Sequence, residues 1–372
     1  MNLRRLLFVA EGQLGDLLLL TPALRAVRTS FPGASISVLI VERHSSAEMP
    51  TGIQRLAEPH NSILSTNPNV DELFSISRES LRSLRAFERM RAELAVVQFL
   101  RGKKYDAVVS TFPEDRFALW AFLSGASVRV GQKKQGLSWL LTHTPEIEKR
   151  DRGVLQYYCD LVRALGATVR SDRTEYNIPA PAHYWADRFL QSNNLETTTR
   201  LIALHPGATG DYKVWPPDSY AELIDYLQEL QNTRVILCSS PYDVSVAAEI
   251  RRLVHTTLIE ADTGHDIGRL AALFQRCSLC ITNDSGPRHL AVAIGKPTLA
   301  FFRQFHDREW QIYPEEKAPI LKSGEMCPVC PPHVCLDRTP DGERFGSHCL
   351  RMIEVAEAAK KAEEILAFQH SK

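Results

Sequence analysis

The chain has 372 residues, 44% of them hydrophobic, and 44 Lys plus Arg against 44 Asp plus Glu. That length exceeds the roughly 250–300 residues at which a single core stops growing, so two domains are expected, and the charge balance excludes the cationic excess of a nucleic-acid binder. No run approaches the roughly 18–20 consecutive apolar residues of a membrane span, and the opening MNLRRLLFVAEG has too short an apolar run and no small-residue cleavage site for a secretory signal, so a cytoplasmic location is expected.

In chain order, LLFVA (6–10), ISVLIV (36–41), DAVVST (106–111) and SVRVG (127–131) read as strands. PALRAVRTSF (22–31), SLRSLRAFERMRAELAVVQFLRG (80–102) and RFALWAFLSG (116–125) read as helices between them. The alternation predicts βαβ units and a parallel sheet. The polar stretch SDRTEYNIPAPAH (171–183) reads as a linker. A second doubly wound series follows from RLIALHPG (200–207) through TRVILCSS, TLIEA and SLCITND to PTLAFF (297–302), with helical segments between the strands. An Ala-rich helix over about 353–369 closes the chain. The expected class is α/β with domains over 1–180 and 181–372. Basic residues are mildly in excess in the first half and acidic ones in the second, a weak sign that the first half faces something anionic.

In open α/β sheets ligands bind beyond the carboxyl ends of the strands, and three such places carry chemistry. EGQLGD (11–16) delivers Asp16 through a turn with two glycines; the plain reading of Asp16 is a helix N-cap. A dinucleotide fingerprint fits poorly, because the spacing is G-x-x-G and only Glu42 offers an acid at the end of the second strand. In LHPGATGDYKVWP (204–216), His205, Gly207 and Ala208 leave a strand through small residues whose amides can approach a ligand, with Lys213 behind them. Such a loop can hold a pyrophosphate; otherwise Lys213 is solvated. In NDSGPRH (283–289), Asp284, Ser285, Arg288 and His289 outnumber what one cap requires, the plain reading being a capped helix with a packed histidine.

Of the eight cysteines, Cys159, Cys238, Cys277 and Cys280 lie in apolar surroundings and read as inert core thiols. Cys327, Cys330, Cys335 and Cys349 are clustered at ligand-like spacing, with His333 and His348 nearby. A structural metal or thiol cluster, unligated packing, and a disulfide all remain open, the last disfavoured in a reducing compartment.

The motifs LGDLLLLTPALRAVRTSFPGASISVLI, NPNVDELFSI, LSGASVRVGQ, LHPGA with KVWP, and NDSGPRHLAVAIGKPTLAFF occur in an order that resembles glycosyltransferase family 9, the heptosyltransferases of the lipopolysaccharide inner core. The resemblance implies a GT-B fold: two facing Rossmann-like domains, acceptor on the first, nucleotide sugar on the second, and a terminal helix returning toward the first domain. It implies inverting, metal-independent transfer of heptose from ADP-heptose to a lipid-anchored inner-core saccharide, with no cofactor and only peripheral membrane contact. Under it Asp16 is the general base and Lys213 neutralises the departing diphosphate. Gly207, Ala208, Lys213, Asp284, Ser285, Gly286 and His289 bind the donor, and Gly15, Arg116 and Lys133, beside Lys134, serve the acceptor. Other outcomes are a different nucleotide sugar or acceptor, a catalytically silent nucleotide-binding partner in a glycosylation complex, or another enzyme on this fold such as a nucleotide-sugar epimerase. The chain departs from the family after PTLAFF, where Arg303-Gln304-Phe305 replaces a Gly-Pro-Thr-like turn beside the nucleotide, which puts the identity of the donor in question.

Overall fold

The structure is a computed structural model that describes residues 3–42, 53–56, 63–133, 136–145, 149–195, 199–331 and 335–369. Two compact units divide between Tyr176 and Asn177. The first contains β1 (Arg5–Glu11), α1 (Leu14–Ser30), β2 (Ser35–Glu42), β3 (Gln54–Arg55), β4 (Glu72–Ser77), α2 (Arg78–Ser83), α3 (Ala86–Lys103), β5 (Ala107–Ser110), α4 (Asp115–Leu123), β6 (Val128–Val130) and α5 (Lys149–Ala164). Its sheet runs β3-β4-β2-β1-β5-β6, with β3 antiparallel to β4 and every other pair parallel. β1 and β2 are buried on both faces, which is why their sequences read as continuous apolar runs without alternation.

Helix α1 shows how the LTP sequence is tolerated. Pro22 lies inside the helix and has no N–H for the carbonyl of Leu18. The Thr21 hydroxyl donates to that carbonyl at 2.7 Å and accepts the Glu175 N–H at 3.1 Å, so one side chain repairs the ladder and pins the chain before the unit boundary. The leucines at 17–20 are at most 3% exposed and bind the helix to the sheet. The single helix expected over 80–102 is two: the backbone turns extended at Leu84 and Arg85, and Glu88 accepts the Arg85 N–H at 3.3 Å to restart it. Strand β4, within NPNVDELFSI, escapes a reading for alternation because its middle is buried throughout.

The second unit contains α6 (Ala180–Ser192), β7 (Arg200–His205), α7 (Pro217–Glu229), β8 (Thr233–Ser239), α8 (Val244–Leu253), β9 (Ile259–Asp262), α9 (Ile267–Arg276), β10 (Leu279–Asn283), α10 (Gly286–Ala293), β11 (Thr298–Phe301), α11 (Asp307–Trp310), β12 (Ile320–Leu321), α12 (His348–Arg351) and α13 (Val355–Gln369). Its all-parallel sheet runs β12-β11-β10-β7-β8-β9. The prolines that suggest a linker near residue 180 instead open α6, with Pro179 at the N-cap and Pro181 inside the first turn, where a missing N–H costs nothing. Trp215 stacks on Phe301 at 4.1 Å beneath Tyr220. Ala358, Ala359, Ala362 and Leu366 of α13 complete that core, so the buried face of the terminal helix is spent on the second unit. In each unit the strand order reverses beside its first strand, at β1/β5 and at β7/β10. Those two crevices are where the topology places ligands.

Candidate active site

At the first crevice β1 ends in Glu11 and the chain turns through Gly12. A Cβ on Gly12 would lie 2.9 Å from Ile40 Cγ2 and 3.1 Å from Glu42 Cα, so the close approach needing glycine here is to β2. Gln13 is the N-cap of α1; Gly15 and Asp16 follow inside the first turn, so Asp16 is not the cap. Its half-buried carboxylate accepts a 3.0 Å hydrogen bond at Oδ1 from the hydroxyl of Tyr158 on α5. Burial first, and the Asp16 charge second, hold the Tyr158 phenol well above its ordinary 10, so it stays a donor. Arg78 joins Glu11, at 3.4 Å, to Glu114, with Glu11 and Arg78 both buried. Tyr158 sits within a helix, away from any strand end, and Arg78 directly follows β4, a strand that the sequence pattern does not declare.

Beyond β5 a small, partly open hollow is lined by Ser110, Phe112, Glu114, Asp115, Gly131 and Gln132. Arg116, expected on the acceptor, turns to α3, its Nε 3.2 Å from Glu93. Glu93 also accepts the Trp120 indole N–H at 2.6 Å, so the pair is part of the helix packing. Lys133 is exposed on the loop after β6; Lys134 lies outside the described residues.

At the second crevice His205 ends β7 buried. Its Nδ1 accepts the Gly207 N–H at 3.3 Å, and its Nε2 lies 3.5 Å from Asp243, while burial lowers its pKa. A Cβ on Gly207 would sit 1.7 Å from Asp243 Oδ1. The glycine therefore makes room for that carboxylate, and its own amide donates to His205. Ala208 is partly buried against the core. Asn283, at the end of β10, ties the loops together: its Oδ1 accepts from the Trp215 N–H at 3.0 Å and the Tyr220 hydroxyl at 2.8 Å, and its Nδ2 donates to the Pro206 carbonyl at 2.6 Å.

Lys213 ends a 3-10 turn, Asp211–Lys213, and its ammonium has no hydrogen-bond partner among the described residues. Burial lowers its pKa, Asp284 opposing and Arg303 adding to the shift. Asp284 is raised by burial and drawn back by Lys213, Arg288 and Arg303. Ser285 stands at the N-cap of α10 without capping it; its hydroxyl donates instead to the Asn283 carbonyl at 3.4 Å. Gly286 opens the helix, whose positive end is left without a side-chain cap. His289 is 3% exposed, its Nδ1 2.8 Å from the Tyr313 hydroxyl, and burial pushes its pKa down to about 3. It is a neutral, packed histidine. Arg288 is likewise buried, donating to the Trp310 carbonyl at 3.0 Å and lying over Phe302 at 4.7 Å.

The sequence profile of glycosyltransferase family 9 (heptosyltransferase) matches residues 93–333. The chain belongs to glycosyltransferase family 9. A lipopolysaccharide heptosyltransferase 3 of Escherichia coli is 25% identical over 294 residues, 77% of this chain and 80% of that protein. Among solved structures, a family 9 glycosyltransferase from Veillonella parvula superposes with a TM-score of 0.77 at 23% identity, covering 99% of both chains. The E. coli heptosyltransferase WaaC with ADP superposes with a TM-score of 0.68 at 18% identity, over 97% of this chain and 99% of that one. The fold is that of the GT-B heptosyltransferases, and the protein is a glycosyltransferase.

At Arg303-Gln304-Phe305, after β11, the structure joins two features that look separate in the sequence. Gln304 accepts the Cys327 N–H at 2.9 Å and donates to the Ser323 and Glu325 carbonyls. Arg303, 2% exposed, pairs with Asp337, lies 3.9 Å from Cys335 Sγ and donates to His306 Nδ1 at 3.1 Å. All eight cysteines are free thiols. The four clustered ones form two hydrogen-bonded pairs, Cys327 with Cys330 and Cys335 with Cys349; the Cys335 bond, the largest influence on Cys349, brings that thiol down to about 5. Among the described residues, His306, Cys335 and Asp337 alone bring three ligating atoms within 4.8 Å of one another. The Arg303 guanidinium touches all three and already supplies the positive charge. His333 lies outside the described residues.

Proposed function

We propose that the chain transfers heptose, with inversion and without a metal ion, from ADP-heptose to a lipid-anchored lipopolysaccharide inner-core saccharide. The observation that carries this reading is the second crevice: a Lys213 ammonium with no hydrogen-bond partner among the described residues, beside Asp284 and the N-terminus of α10 that no side chain caps, at the strand-order reversal of a family 9 chain. That set suits a nucleoside diphosphate. Its E. coli relative is a lipopolysaccharide heptosyltransferase, and a WaaC structure of the same fold holds ADP.

In the reaction the acceptor oxygen attacks the anomeric carbon and its proton passes to Asp16. The carbon–oxygen bond to the diphosphate breaks, and the electron pair leaves with the nucleoside diphosphate, whose charge Lys213 and the α10 N-terminus offset. One displacement inverts the centre, so one base suffices. The Tyr158 hydroxyl fixes the orientation of Asp16 and is itself too weak an acid to take over its role. Gly15 and the hollow beyond β5 serve the acceptor, with Lys133 the exposed cation beside it. On this reading membrane contact is peripheral, favoured by the mild basic excess of the first half.

The test is incubation with ADP-heptose and a purified heptose-deficient core acceptor, following ADP release and the anomeric configuration of the product. A β-linked and an α-linked donor should each give the opposite product configuration or no product. Retention, or turnover abolished by chelator and restored by a divalent ion, would refute the mechanism.

A further inference from the structure

The turn that carries Lys213 is short and has only two internal backbone hydrogen bonds to define it, Lys213 N–H to Gly210 at 2.9 Å and Val214 N–H to Asp211 at 3.1 Å. Something else must hold it, because a three-residue 3-10 turn has little stability of its own. The stretch from Cys335 to Ser347 does so from one side. The Gly346 N–H donates to the Asp211 carbonyl and the Ser347 N–H to the Tyr212 carbonyl, both at 3.1 Å, and Arg344 Nε donates to the Asp211 carboxylate at 2.8 Å. Gly346 fits only as glycine: its φ is +79° and a Cβ would lie 3.0 Å from Pro216. From the other side the Arg303 guanidinium lies over the Tyr212 ring at 4.9 Å and is paired with Asp337 of the same stretch.

We infer that Arg303 is a positioning residue for donor binding, joining the 335–347 stretch to the Lys213 turn so that the two move as one body. The inference rests on the donor reading above and adds to it a buried residue from the loop after β11. The cysteine-bearing region is then a wall of the nucleotide site rather than a remote staple. The role assigned to Arg303 is to set where the Lys213 ammonium stands. An aromatic ring in contact with a desolvated guanidinium and a carboxylate on its far side is a rigid arrangement, whereas a lysine at 303 would keep the charge and lose the planar contact.

Two variants separate this from a merely structural role. Arg303→Gln removes the guanidinium. Asp337→Asn removes only its partly exposed partner, and Asn tolerates the φ of +54° found there. ADP affinity is read by calorimetry, KM for donor and for acceptor separately, and hydrogen exchange over residues 208–216 by mass spectrometry. Arg303→Gln should weaken ADP binding and raise the donor KM at least tenfold, leave the acceptor KM within twofold, and speed exchange in the Lys213 turn. Asp337→Asn should move the same quantities in the same direction by about threefold, and it serves as the test if Arg303→Gln does not fold. Unchanged ADP affinity and unchanged exchange in folded variants would overturn the inference. If the wild-type protein binds no ADP, the donor reading fails by itself. The exchange measurement then still decides whether Arg303 clamps the turn.

Discussion

Replacing the Asp16 carboxylate by its amide, Asp16→Asn, should leave ADP affinity and the melting temperature near wild type while kcat falls at least about a hundredfold, the usual scale for a lost general base. Activity within threefold of wild type would remove Asp16 from that role. Lys213→Ala should weaken ADP binding and lower kcat together, because a phosphate contact acts both before and during bond cleavage; calorimetry and steady-state rates read the two separately. His289 gives a pH signature. Its folded pKa is about 3 against an ordinary 6.5, so between those values the unfolded chain binds a proton that the folded one does not. Stability from this residue is therefore complete above about pH 6.5 and falls as the pH drops toward 3, by roughly 1.4 kcal/mol per unit. A His289→Gln variant should lose less melting temperature than wild type between pH 7 and pH 4.5, and parallel curves would show that the histidine titrates freely. Asp16, Lys213 and the turn at 283–289 stand out in the sequence because each lies on the connection that leaves an apolar run for the next helix. The purpose of Gly207 is not, since the carboxylate that fills its missing side chain comes from the next strand-to-helix connection, at Asp243.

Elements are legible where burial and period agree and obscure where they do not. The strands β1, β2, β5 and β7–β11 declare themselves as apolar runs, while β4 has Ser75 buried within it and β12 is two residues long. Tyr158 is missed for another reason: it lies in the middle of α5, a helix broken at Gly153 with φ of +72°, and not at the end of a strand. The repair of α1 is testable at this scale. Thr21→Val keeps shape but removes the donor to Leu18 and the acceptor of the Glu175 N–H, leaving two groups without these partners in a buried place. The expected cost is about 2–6 kcal/mol by denaturant titration, from roughly 1–3 kcal/mol for each unsatisfied group. A change below 0.5 kcal/mol would mean that Pro22 is accommodated by some other donor.

For the molecule as a whole, net charge is zero and the basic excess belongs to the first half, so attachment to anionic vesicles should be weak and released by moderate salt. Retention through high salt, with release only by detergent, would contradict peripheral contact. The two sheets share one logic of strand order, yet they differ in how they close. The first unit has its sheet and covering helices by Ala164, whereas the core around Trp215 and Phe301 stays open until Ala358, Ala359, Ala362 and Leu366 are added. On the ribosome, where domains fold in turn as the chain emerges at about 5–20 residues per second, the first unit can therefore settle while the second waits with its aromatic centre uncovered. The period of greatest exposure to aggregation and proteolysis falls between the synthesis of β11 and that of α13. A nascent chain stalled before α13 should thus be captured by hydrophobic-binding chaperones where the released chain is not.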